Sequence, residues 1–420
     1  MSGWRFRALF TTGWKVPVLS SSLRTAPAAE TARRAWEVAR RLGVTRCADA
    51  TWLDRVGIPV YSATRPDAAA VIVTAGKGGT SDEARAGALM EAIELAVAER
   101  SAAEADRRGD LVRLTARKAV DRGGPSVGSL CPVLGRKVDP DQEFAWVRTA
   151  EAISSGDFLV PAELVFHPCP PQLAAGLWGS TTTGLASGNS PDEAVLHGLC
   201  EVIERDALSF ETVRSDSLLV SPAQLPAVPA MMMERIQDAG LKVWLRLVPT
   251  PLGPCFSSLV ADDDLASPLA CNGGYGFHPV AAIAAARALC EAAQSRLTYI
   301  QGARDDLEAT VEFIDSFTAE KRRAYRDKLV AGFARDDKTI DFADIPTAQL
   351  SSIAELLADL LERCRANGLD RVGVYRYPPL ARPFTVVRVT VPFAEHFTQA
   401  THRVGVRLAE MADMVLDEST

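Results

Sequence analysis

The sequence predicts an α/β protein, and three features carry that prediction. Short segments rich in β-branched and aromatic residues alternate with longer amphipathic ones. No low-complexity linker divides the chain, and one acidic helix frame occurs twice. At 420 residues the chain can bury a large core. Its 47% hydrophobic and 24% charged content is ordinary for a globular enzyme.

The N-terminal "MSGWRFRALFTTGWKVPVLSSS" has basic residues and a short apolar patch, which Lys15 and Pro17 interrupt before a signal-peptide core is complete. Residues 1–24 therefore read as a flexible leader. Residues 28–42 form an amphipathic helix that Gly43 ends, the main feature of an N-terminal helical extension over 25–64. The main domain is expected over 65–410. It opens with a buried strand, "AAAVIVTA" (68–75), and a glycine loop, "GKGGTSDE", that leads into the first acidic helix. Further strands fit 144–153, 242–249, 256–264, 371–378 and 384–393, and helices fit 190–210, 279–302, 316–332 and 347–367. Pro/Gly clusters mark loops at 121–140, 165–180 and 248–255.

Several function classes are disfavoured. A net charge of −7 argues against a nucleic-acid or anionic-membrane partner, and no stretch reaches the 18 or so apolar residues of a membrane span. The eight cysteines are scattered without a C-x-x-C, which disfavours a zinc knuckle or disulfide framework and fits a reduced cytoplasm. His167 and Cys169 in "HPC" are the one close His/Cys pair, and packing explains them better than metal ligation.

The repeated frame is "EARAGALMEAIE" (83–94) and "EAVLHGLCEVIE" (193–204), identical at six of twelve positions, three of them glutamates. Helical geometry places Glu83, Glu91 and Glu94 on one face, and Glu193, His197, Glu201 and Glu204 on another. Like charges at i and i+3 repel mildly, so bound cations are the natural counterweight, and carboxylate oxygens suit Mg²⁺. Facing helices of this kind could hold ions that bridge a nucleotide's phosphates. Surface E-x-x-E is common by itself; two copies in one extended frame, each after a Gly-rich loop, shift the balance to function. Arg205 is a salt-bridge partner or a phosphate clamp. "AGKGGTS" is not a P-loop, and Ser190 or Asn189 is expected to cap the second helix, with Asp192 and Glu193 in its first turn. A third helix, "AAARALCEAAQSRLTYIQGARDD", has Glu291 and Gln294 where the others have two glutamates, flanked by Arg287, Arg296 and Arg304.

Together, "GKG…GALMEAIE", "TTGLASGNSPDEAVLHGLCEVIERDAL" and "ALCEAAQSRLTYIQGARDD" resemble the YcaO family of ATP-dependent peptide-backbone-modifying enzymes. The stretches "TRCADATWLDRVGIPVYSATRPDA" and "FTVVRVTVPFAEH" look like the stand-alone, TfuA-associated branch, and the resemblance spans about residues 24 to 400. It implies the YcaO fold, with mixed sheets flanked by helices, and makes 65–410 the catalytic domain. By the same resemblance Glu91, Glu94, Glu201 and Glu204 hold Mg²⁺, and Glu201 and Arg205 act in catalysis. Glu193, Arg205, Lys77, Glu291, Gln294, Arg296 and Arg304 are the implied ATP or phosphate contacts. The implied reaction is addition of a nucleophile to a peptide carbonyl, phosphorylation of its oxygen and loss of phosphate, giving an azoline, thioamide or amidine. Gly87, Leu95 and Thr183 stand where the family usually has Ser, Arg and Asn. A peptide or protein substrate, a TfuA-like partner or separate peptide-recognition protein, and a homodimer are the implied partners, with thioamide formation placed ahead of azoline formation. Two other readings stay open: a non-catalytic ATP-binding accessory, and a metal-dependent hydrolase using the same carboxylates.

Overall fold

The computed structural model describes residues 21–418 except 138, 155, 265–269, 305–306, 350–351 and 399–400, so most of the expected leader (1–24) lies outside the described residues. Contacts divide the chain into two compact units. The first contains Pro17–Ile93 and Asp216–Leu350, and the second contains Glu94–Ser215 and Ser351–Thr420. The chain therefore enters each unit twice.

In chain order, the first unit opens with α1 (Ala28–Arg41), β1 (Arg46–Asp49), β2 (Val60–Thr64) and β3 (Val73–Lys77). The division then falls inside α2 (Ser81–Arg100), between Ile93 and Glu94. The second unit follows with α3 (Ala102–Arg107), β4 (Leu111–Thr115), α4 (Ala116–Asp121), β5 (Glu143–Glu151), β6 (Asp157–Pro161), β7 (Leu185–Gly188) and α5 (Pro191–Arg214). Back in the first unit come β8 (Leu218–Val220), α6 (Ala227–Asp238), β9 (Lys242–Val248), β10 (Cys255–Ala261), β11 (Cys271–Phe277) and α7 (Ala281–Gln301). They are followed there by α8 (Glu308–Asp315), α9 (Ala319–Ala334) and β12 (Thr339–Ile340). The second unit closes with α10 (Ile353–Ala366), β13 (Gly373–Arg376), β14 (Thr385–Thr390) and α11 (Val406–Glu418).

The first unit holds two sheets, an antiparallel β1-β2-β3 and a five-stranded β11-β10-β9-β8-β12 whose last pair is parallel. The region expected as a helical extension thus gives two strands as well as α1. A core of Phe256, Leu245, Ile236, Met232 and Leu289 joins the larger sheet to α6 and α7. In the second unit, β4-β5-β13-β14-β7 form one sheet with β6 added on β5. Helix α5 lies on β7 and β14, and α10 and α11 pack on α5.

Glycine governs how the three motif helices meet their strands. A Cβ on Gly76 of β3 would stand 2.0 Å from the Ala88 nitrogen of α2. On Gly188 of β7 it would stand 2.6 Å from the Ala194 nitrogen of α5, and on Gly274 of β11 2.2 Å from the Ala288 oxygen of α7. Each strand lies against the backbone of the helix that follows it, closer than any side chain allows.

Candidate functional site

Helix α5 begins as a well-capped helix should. The Ser190 hydroxyl accepts the Glu193 N–H at 3.2 Å, Pro191 sits at the first helical position, and Asp192 and Glu193 fill the first turn. The Glu193 carboxylate turns back to accept the Asn189 backbone N–H (3.2 Å) and its side-chain amide (3.1 Å). It thereby holds the loop between β7 and α5.

Two turns later, Glu201 accepts the Gly184 N–H at 3.1 Å. From α2, Glu94 accepts the Ser187 hydroxyl at 2.6 Å. Gly184 immediately precedes β7 and Ser187 lies within it, so carboxylates from two helices are anchored to one short strand. Glu204 is buried at 4% exposure, with the Arg205 guanidinium 3.8 Å away. Desolvating such a carboxylate costs several kcal/mol unless a cation compensates. Asp206 continues the run: it accepts the Glu395 N–H (2.7 Å) and an Arg407 guanidinium N–H (2.8 Å), and burial raises its carboxyl to about 6.

In the first unit, Glu83 does for α2 what Glu193 does for α5. It accepts the Gly79 N–H at 2.8 Å and the Ser21 hydroxyl at 2.6 Å. Burial pushes the Glu91 carboxyl above its ordinary range, against the opposing pull of Arg304 and Lys77. Lys77 is itself paired with Glu291 at 2.5 Å, and the Gln294 amide donates to the Ala75 oxygen at 2.7 Å. The third helix therefore uses its two motif positions to grip β3.

Arg296, which the resemblance made a nucleotide or phosphate contact, is buried at 4% exposure with its guanidinium between Asp54 (3.0 Å) and Asp262 (3.1 Å). That charge is spent on an internal ion pair, and Arg55 adds a further contact to Asp262 at 3.1 Å. Glu83, expected on the face of Glu91 and Glu94, has its carboxylate engaged by the loop amide and Ser21. Gly87 faces Gly76, with 3.3 Å from a Cβ position to that Cα, a tight approach for any side chain. His167 bonds the Ser180 hydroxyl at 2.7 Å and Cys169 is pushed up to about 12 by burial, so the two serve packing.

The implied Mg²⁺ can be tested against the donor set. Glu91, Glu94, Glu201 and Glu204 offer only hard oxygen donors, and buried Glu204 and Glu91 favour a nearby cation. Among the described residues no three His, Cys, Asp or Glu side chains form a ready cage. Mg²⁺ typically takes one or two carboxylates and completes its shell with water and phosphate. The residues fit the group.

An acidic helix fed from a glycine loop, built twice with oxygen donors alone, defines a protein that binds Mg²⁺ and the nucleotide phosphates carried with it. Residues 75–395 match the family model described as YcaO cyclodehydratase, ATP- and Mg²⁺-binding, and the chain belongs to the YcaO family. An uncharacterized protein of Methanothermobacter thermautotrophicus is 37% identical over 87% of this chain and 94% of its own. An uncharacterized protein in the tfuA 3' region of Rhizobium leguminosarum bv. trifolii is 33% identical over 85% and 84%. Among solved structures, YcaO from Methanopyrus kandleri bound with AMPPCP and Mg²⁺ superposes with a TM-score of 0.72. It is 25% identical, over 92% of this chain and 96% of that one. A heterocyclase in complex with substrate and cofactor shares the fold at 18% identity and a TM-score of 0.73, over 96% of this chain and 56% of that one.

Proposed function

We propose that this ATP-dependent enzyme of the cyclodehydratase family activates a backbone amide of a peptide or protein, and that its product is a thioamide in preference to an azoline. The observation that carries this reading is the anchoring of Glu94 and Glu201 to β7 and the residue before it, by Ser187 and Gly184. Glu91, Glu94, Glu201 and Glu204 are the proposed Mg²⁺ ligands, with Arg205 beside Glu204 as the phosphate-facing cation. Lys77 and Arg304, which counter the burial of Glu91, are proposed phosphate contacts in the first unit; Arg296 is not. Glu193, Glu291 and Gln294 are proposed to position the loop and strand on which those groups stand.

Bound Mg²⁺–ATP supplies the phosphoryl group that turns an amide oxygen, a poor leaving group, into a good one. The chain's own part is preorganisation. The Ser187 hydroxyl and the Gly184 N–H hold two carboxylates in place before any ligand arrives, so little reorganisation is left for the reaction. Residues 65–410 are proposed as the catalytic domain. A TfuA-like partner is proposed because a relative at 33% identity is named for its place beside tfuA. A homodimer and a cytoplasmic setting complete the proposal, the latter supported by eight cysteines without a disulfide and by the lack of any described helix long and apolar enough to cross a membrane.

Phosphate release from ATP in the presence of peptide tests the assignment. Glu201→Gln should lower it by at least about 100-fold while the thermal transition persists. Undiminished turnover in that variant would refute the carboxylate roles. Mass spectrometry of the product decides the chemistry: a gain of about 16 mass units marks oxygen-to-sulfur exchange, and a loss of about 18 marks cyclodehydration.

A further inference from the structure

A cavity of about 20 Å³ lies in the second unit, with Arg388, Arg403, His396, Thr181 and Thr183 among its walls. Its polar lining is unusual in charge. Arg388, in the middle of β14, is 2% exposed, and Arg403 is 3% exposed. No carboxylate among the described residues lines the space. Arg403 is occupied by carbonyls, with Nε to the Cys131 oxygen (2.8 Å) and Nη2 to the Leu130 oxygen (2.7 Å). Arg388 gives Nη2 to the Thr181 oxygen at 2.5 Å, whereas its buried Nη1 has no hydrogen-bond partner among the described residues. The His396 Nδ1, in the same wall, also lacks one.

These groups converge on a single kind of ligand. Burial together with Arg403, Arg388 and Arg205 holds the imidazole of His396 well below its ordinary range, so it stays neutral and can present one N–H. The Thr181 hydroxyl donates to the Thr183 hydroxyl at 3.1 Å, which leaves the Thr183 proton able to turn inward. A water could satisfy some of these donors, but not the charge. Glu201 acts electrostatically on Arg388, and Glu163 and Glu395 on Arg403, but none of the three lines the cavity, so the unpartnered Arg388 Nη1 favours a negative occupant over a neutral one. The volume admits a particle of one heavy atom, larger than a water by a little.

We propose that this cavity is a binding site for a small inorganic monoanion, held by Arg388 and His396 with help from the Thr183 hydroxyl. A halide and hydrosulfide share that chemistry. The hydrosulfide source rests on the thioamide reading above, whereas the site itself does not.

Bromide serves as the probe, with the full chain. Crystals grown in sodium bromide should show an anomalous peak in the cavity. At constant ionic strength, replacing methanesulfonate with bromide should raise Tm saturably, by about 2 °C. Arg388→Gln should abolish that rise and Thr183→Val should reduce it; if Arg388→Gln does not fold, Thr183→Val and His396→Phe carry the test. Density for water with no anomalous peak would overturn the proposal, and so would an equal bromide response in the variants. Sodium hydrosulfide that displaces the bromide peak assigns the site to a sulfur nucleophile, and failure to displace assigns it to halide. Because the bromide response reads no turnover, the cavity can fail while the enzymatic assignment stands, and the reverse.

Discussion

At the start of α2, Glu83 reaches back four residues to the Gly79 amide and out to Ser21, 62 positions upstream. At the start of α5, Glu193 reaches back the same four residues to Asn189 and takes both its backbone and side-chain amides. The aspartates before them also part ways. Asp82 is exposed, whereas Asp192 is 8% exposed, its Oδ1 has no partner among the described residues, and burial lifts its carboxyl to about 6. One sequence frame has therefore been given two supports. The second copy carries its own loop-holding amide, while the first borrows a hydroxyl from a distant part of the chain.

The largest expected effect probes what the copies share. Gly76→Ala should cost about 3 kcal/mol in urea unfolding and Gly188→Ala about 2, because the new methyl meets helix backbone more closely at Gly76. Equal or negligible losses would mean that the helices can retreat, and that the close approach is not a constraint. Next come the loop holders. Glu83→Ala and Glu193→Ala should each cost about 2 kcal/mol by stranding buried donors, and Asn189→Ala should reproduce part of the second loss only.

Asp192→Asn should act in the opposite direction, adding about 1–2 kcal/mol near pH 8 and almost nothing at pH 4. The sign follows from a folded pKa of about 6 set above the unfolded 3.8. Ionisation is penalised only in the folded state, so stability falls as pH climbs from about 4 to about 6, and removing the charge recovers it. Asp82→Asn, on an exposed residue, is the control and should change stability by less than about 0.5 kcal/mol. The smallest effect separates the copies most cleanly: Ser21→Ala should cost about 1 kcal/mol in urea unfolding, the loss of one hydrogen bond to a charged acceptor, and should leave the α5 loop's hydrogen-exchange protection unchanged.

The sequence makes the helices legible and hides the strands that matter most. Helix α1 and the Ser190 cap fall where periodicity and capping put them, because both signals are local. Strand β11, "CNGGYGF", draws no strand expectation, and β7, "LASG", falls in the Gly-rich loop read before the second acidic helix, because their glycines erase β propensity. Those glycines are there so that α7 and α5 can lie against the strand backbone, a reason that only the tertiary structure contains. The same effect displaced β3: the reading favoured the apolar run 68–75, while the strand spans Val73–Lys77 and includes Gly76. At the site, the paired glutamates were visible as a repeat. Ser187, Ser21 and the Asp54–Arg296–Asp262 ion pairs were not, since each joins residues far apart in the chain.

The double entry of the chain into each unit has a consequence for its biosynthesis. The sheet of the second unit pairs Glu151 with Gly373 and Gly188 with Thr385, so β5 and β7 wait for strands made some two hundred residues later. At about 5–20 residues per second that wait is on the order of ten seconds or more, during which apolar strand edges stand open on the ribosome. Such long-range pairing slows folding and leaves nascent chains prone to aggregate. The second unit therefore begins before the first is finished and ends after it, and a fragment cut at the middle of the three crossings, between Ser215 and Asp216, would lack part of both.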